Sequence, residues 1–138
     1  MKNTLKIHDL SVNDWVKYDG KPYQVGSYDG TTGEIILITP DPEEGLDFQV
    51  AYDYELRPLP LNARILEASG FAAVRINAAH CWANKNRRIA VALDFAGTWA
   101  VYHKIAGTPY CAVGITVRFV HELQHVCRLL GEDIDIRL

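Results

Sequence analysis

Trp15-Val16-Lys17-Tyr18-Asp19-Gly20-Lys21-Pro22-Tyr23-Gln24-Val25 decides how the first half of this chain is read. Two runs rich in aromatic and β-branched residues flank Asp-Gly, a dipeptide that accepts the positive φ of a two-residue hairpin turn. A second Asp-Gly, Asp29-Gly30, precedes Glu34-Ile35-Ile36-Leu37-Ile38, and Phe48-Gln49-Val50-Ala51-Tyr52 reads as a further strand. Pro40-Asp41-Pro42-Glu43-Glu44-Gly45 between them has the composition of a loop. Residues 1–57 are therefore expected to form a small all-β unit, an SH3-like barrel or a bent sheet.

Pro58 and Pro60 then mark an extended connector. Asn62 is placed to cap a short helix, Ala63-Arg64-Ile65-Leu66-Glu67-Ala68, which Gly70 ends. Residues 71–76, 88–95 and 98–105 predict three strands of an antiparallel meander, with Ala96-Gly97-Thr98 and Ala106-Gly107-Thr108 as its turns. Phe119, Val120, Leu123, Cys127 and Leu130 follow helical spacing, which predicts a long helix capped by Thr116 and stopped by Gly131. Residues 133–138 read as an edge strand. The fold class is α+β: an N-terminal all-β unit over 1–57, and a unit over 58–138 built of a short helix, a β-meander and a long C-terminal helix, expected to pack as one compact globule.

That last helix carries His121-Glu122-Leu123-Gln124-His125, which matches the H-E-x-x-H pattern of zinc peptidases. On a helix the two imidazoles fall one turn apart as candidate ligands, and Glu122 becomes a candidate general base on a zinc-bound water. The neighbourhood argues against it. A third ligand is needed, and Arg128 and Gly131 stand where the extended pattern has Gly and His. By helical phase His121 and His125 fall opposite the apolar stripe, with Arg118, Gln124 and Arg128, on a solvated face. The expectation is thus no cofactor and no catalytic residue, with zinc on His121 and His125, and Glu122 as base, as the alternative.

The 138 residues are 49% hydrophobic, enough for a real core, and carry a net charge of −3, which excludes a general electrostatic pull toward nucleic acid. The one basic cluster, Asn84-Lys85-Asn86-Arg87-Arg88, reads as a hairpin loop, with phosphate contact by Arg87 and Arg88 as its functional reading. The first residues lack an apolar leader segment, and Ile89 to Tyr102 is too short and too interrupted by Asp94 to cross a membrane. Cys81, Cys111 and Cys127 are odd in number and widely spaced, as suits reduced thiols. A cytoplasmic protein is expected. Phosphate-loop and G-x-S-x-G patterns are missing.

Trp15, Tyr18, Tyr23, Tyr28, Phe48, Tyr52 and Tyr54 crowd the first unit. They suit the core and rim of a small barrel. They also suit a peptide groove or a base-stacking surface, for which Trp15, Tyr18 and Tyr23 are the candidate contacts.

Three segments together resemble an uncharacterised family of small proteins from bacteriophages and integrated mobile elements of gut Bacteroidetes. They are Leu5-Lys6-Ile7 with Trp15 to Lys21; Leu56-Arg57-Pro58-Leu59-Pro60-Leu61 running into Ile65-Leu66 and Gly70-Phe71; and Phe119-Val120-His121-Glu122-Leu123-Gln124 through Leu130-Gly131-Glu132-Asp133. The resemblance brings no assigned activity. It implies that Glu122 and His125 stand where relatives tend to have Gln and Asn, so that H-E-x-x-H arose here by drift. The expectation is a non-enzymatic accessory or protein-interaction protein with a protein partner. A zinc-dependent peptidase and a nucleic-acid-binding module are the alternatives.

Overall fold

The computed structural model describes residues 5–41, 45–94 and 96–138, and gives only the backbone course of Pro40, Asp41 and residues 45–47. The fold is α+β and mostly sheet. It divides into two compact units, Met1–Leu59 and Pro60–Leu138. No described helix is long and apolar enough to cross a membrane.

The first unit contains β1 (Trp15–Tyr18), β2 (Lys21–Tyr28), β3 (Glu34–Asp41), β4 (Gly45–Tyr52) and β5 (Leu56–Pro58). They form one antiparallel sheet in the order β4-β3-β2-β1-β5. Asp19 and Gly20, at φ 50° and 76°, close the expected hairpin by pairing Tyr18 with Lys21. Val16, Tyr23, Val25, Ile35, Leu37, Ala51 and Leu56 point to one face and form the core with Leu5 and Leu10. A single 3-10 turn, Asp53–Glu55, redirects the chain so that β5 returns to β1, setting Val16 opposite Pro58. The expected loop at 40–45 is corrected at both ends. Pro40 and Asp41 continue β3 and Gly45 begins β4, because ladder pairing overrides local composition; residues 42–44 lie outside the described residues.

The second unit opens with α1 (Ala63–Ala68), where the Asn62 Oδ1 accepts from the Ile65 N–H at 2.9 Å, as the sequence predicts. A five-stranded antiparallel meander follows: β6 (Ala72–Ile76), β7 (Ala79–Ala83), β8 (Ile89–Leu93), β9 (Trp99–His103) and β10 (Cys111–Val117), in the order β10-β9-β8-β7-β6. Three strands were expected. β7 was missed because its turn, Asn77-Ala78, lacks glycine, yet both residues take positive φ, 50° and 68°. β10 was missed because it is bulged between Ala112 and Thr116, with Gly114 at φ 81°.

α2 (Val120–Leu129) is shorter than expected and starts later. Thr116 lies in β10 and caps nothing; the N-cap is Phe119. The expected edge strand at 133–138 is also corrected. Among the described residues the tail has no sheet partner and is held by a side chain: the Arg137 N–H donates to the Ser69 hydroxyl at 2.8 Å, whose own proton has the Ile65 carbonyl, at 2.7 Å, as its closer acceptor.

Candidate functional site

The H-E-x-x-H residues do lie on α2, but not as a zinc site requires. Glu122 is spent on the helix start: its Oε1 accepts from the backbone N–H groups of Arg118 (2.9 Å) and Phe119 (3.1 Å). This is the glutamate half of a capping box, satisfying donors that a helix N-terminus leaves unpaired. The solvated-face expectation is corrected for His121, which is 6% exposed, and for Gln124, also buried. α2 buries a broad arc (Val120, His121, Leu123, Gln124, Val126 and Cys127); Arg118 and Arg128 are exposed as expected, Leu129 with them, and Glu122 and His125 are half-exposed. The His121 ring stacks on Phe119 (6.1 Å between centroids, 12° between planes), and the apolar faces of an imidazole tolerate such a place. His121 and His125 meet edge to face at 5.6 Å. Among the described residues no group of three or more His, Cys, Asp or Glu side chains is arranged to hold a metal ion.

A polar cluster that the sequence reading missed lies just past α2. Glu132 is buried; its Oε2 stands 3.1 Å from His103 Nε2 and 3.8 Å from an Arg88 Nη1. His103 ends β9 and pairs with Ile89, the first residue of β8, which Arg88 directly precedes, so that His103 and Arg88 both flank this carboxylate. No sequence signal joins residues 88, 103 and 132; only the meander does. Arg88, half exposed, forms a loose ion pair with this carboxylate. Arg87 is exposed, at φ 62°, and its carbonyl accepts from the Tyr110 hydroxyl. Burial, reinforced by the negative charge of Glu132 and only partly offset by Arg128, pushes the nearby Cys127 thiol up to about 12. Burial also raises Cys81. Both are inert thiols, whereas Cys111 is exposed.

Of the aromatic contacts expected from sequence, Trp15 and Tyr23 are buried and Tyr18 is half-buried, edge-on to Tyr23 at 6.0 Å. They are framework. The open aromatic surface lies on β4, an edge strand of its sheet. Phe48 (66% exposed), Val50 (48%) and Tyr52 (38%) alternate along its outer face, and Tyr54 (64%) lies parallel to Tyr52 at 5.7 Å and 4°. Behind them on β3, Ile38 pairs with Phe48 and Ile36 with Val50. The available signal was Glu34-Ile35-Ile36-Leu37-Ile38: an apolar run without alternation means that both sheet faces are apolar, and one of them has no core to cover it.

The second unit also has a cleft of about 530 Å³ between the β7–β8 turn and the tail, lined by Phe71, Asn84, Lys85, Asp133, Ile134 and Asp135 among others. Its lining includes one amine and two carboxylates, of which Asp135 accepts from the Arg137 Nε at 2.9 Å. Asn84, also in the lining, is fixed by its Oδ1, which accepts from the Ile89 N–H at 3.0 Å. No family model, curated protein or solved structure matches the chain.

Proposed function

We propose that this is a non-enzymatic accessory protein that works by binding a protein partner, adding an extended segment of that partner to the open edge of β4. The observation that carries this reading is the conjunction of a sheet edge with an uncovered apolar face, Phe48, Val50, Tyr52 and Tyr54. An edge strand offers unpaired backbone N–H and C=O groups that supply affinity, while the alternating side chains supply selectivity; on β4 the Tyr52 N–H is already held by the Glu55 carboxylate, so addition draws on the groups before it. Proteins that do not use such an edge protect it with Lys, Pro or a bulge, and residues 48–52 contain none of these.

Other features support parts of this reading. The return of β5 to β1 after one 3-10 turn favours an SH3-like unit, a frequent carrier of peptide-binding surfaces. The resemblance to small proteins of phages and mobile elements favours an accessory role. Three free cysteines suit the cytoplasm. The peptidase alternative loses its base to the cap of α2. The nucleic-acid alternative meets carboxylates at the aromatic surface: exposed Glu34 is opposite Tyr52, and Glu55 accepts from the Tyr52 N–H. These would repel phosphate.

The test is a photo-crosslinking amino acid in place of Phe48, in cells that carry the gene, with Arg75 on β6 as control position. We expect a discrete protein adduct at position 48 alone, and binding of that protein to the purified chain weakened roughly tenfold or more by Phe48→Ser. Equal labelling at both positions would sink the proposal.

A further inference from the structure

We infer that the strand that adds to β4 is β4 of a second copy, giving a twofold dimer centred on Val50; this rests on the strand-addition reading above. The outer face of β4 reads aromatic, β-branched, aromatic: Phe48, Val50, Tyr52. That order is the same from either end. Antiparallel pairing about Val50 sets Phe48 of each copy opposite Tyr52 of the other, and Val50 opposite itself. Both are favourable cross-strand pairs. A twofold interface requires this kind of self-complementarity, because one patch must serve as both partners. On the other face Gln49 meets Ala51; beyond them the register sets Asp47 of each copy opposite Asp53 of the other, which confines the pairing to residues 48–52.

The available area sets the strength of such a pair. Edge pairing covers the flanks of Phe48, Val50 and Tyr52 and leaves their outer face in water, so two copies bury less than the roughly 1,000 Å² of a stable specific interface. That points to a weak, exchangeable dimer with Kd in the range of roughly 100 µM. The two five-stranded sheets would join edge to edge, covering the edge that each copy leaves open.

The experiment is sedimentation velocity on the full chain up to about 200 µM, paired with cysteine scanning along β4 in a Cys111→Ser background. We expect a concentration-dependent dimer. Val50→Lys should weaken it roughly thirtyfold or more by placing two ammonium groups on the twofold axis, with the circular dichroism unchanged because Val50 is half exposed. Under mild oxidation Val50→Cys should form an intermolecular disulfide at least about tenfold faster than Phe48→Cys, since only position 50 faces its own copy at bonding distance. A monomer at every concentration, or equal oxidation at positions 48 and 50, overturns the inference. A monomer that still crosslinks through position 48 to a different protein overturns the dimer and leaves the strand-addition function standing. A monomer with no adduct overturns both.

Discussion

The two sheets have the same strand number and the same antiparallel neighbour order within their meanders, yet they treat their surfaces differently. In the first unit β3 is apolar on both faces from Ile35 to Ile38, and the outward face continues onto an edge strand that is uncharged from Phe48 to Tyr52. In the second, polar side chains close the periphery of the core: Glu132 is fastened by His103 and Arg88, and Trp99 donates its indole N–H to the Leu61 carbonyl at 3.3 Å. The first unit gathers most of its exposed apolar side chains along one strand and the turn after it, whereas those of the second (Leu93, Ile105, Ile115, Leu129 and Leu138) are spread over separate elements. Surface that a chain leaves apolar is where a partner has something to gain. Surface tied down by buried ion pairs is where a single substitution costs stability.

That contrast can be broken by substitution. The largest effects should come from the two cores and be alike: Leu37→Ala and Leu123→Ala, both at fully buried positions, should each cost about 3 kcal/mol in urea denaturation. A cost below about 1 kcal/mol at Leu37 would show that the first unit lacks the core assigned to it. Next, Glu132→Gln keeps the shape but removes the charge that His103 and Arg88 face, and should cost about 2 kcal/mol at neutral pH. Val50→Ser on the open face should change stability by no more than about 0.5 kcal/mol; a larger loss would mean that this face is already covered.

Glu122→Ala should lower stability by about 1 kcal/mol by uncapping α2. A peptidase base in its place would instead leave stability intact and remove an activity. Thiol titration of the native protein near pH 8 should count one fast cysteine, Cys111, with Cys81 and Cys127 reacting only on unfolding. Three fast thiols would contradict the burial of the second core. The smallest effect concerns Asp94, whose carboxyl is held below the usual range, chiefly by the Thr98 hydroxyl and also by the Ala96 and Thr98 N–H groups. A carboxyl depressed in the folded state stabilises above its unfolded pKa and loses that contribution as pH falls through the folded one. Wild type and Asp94→Ala should therefore differ at neutral pH and converge in acid.

Much of the first unit was legible because its turns carry their chemistry openly, Asp19-Gly20 having few alternatives to a hairpin; at the start of the second, Asn62 had few alternatives to a helix cap. The second unit hid two strands behind turns of atypical composition, Asn77-Ala78 and the Gly114 bulge. The phase of α2 misled for a different reason. A five-residue stripe fixes the centre of a helix's buried face but not its width, and the width decided where His121 and Gln124 lie. The candidate site was half legible. The aromatic residues of β4 were in the set considered, but sequence alone could not show that Trp15 and Tyr23 turn inward while Phe48 and Tyr54 turn out.

The meander order of both sheets has a kinetic consequence. Hairpins between successive strands close over a few residues and form in microseconds. The ties that complete each unit are distant in sequence: the Ile7 N–H reaches the Asp53 carboxylate 46 residues on, and Ser69 meets Arg137 across 68. Closing loops of that length opposes folding by roughly 3–4 kcal/mol before the contacts form. The hairpins should therefore nucleate each unit, with φ-values near zero at Asp53, β5 and the tail, so the last steps to form are also the first to open when the native protein breathes.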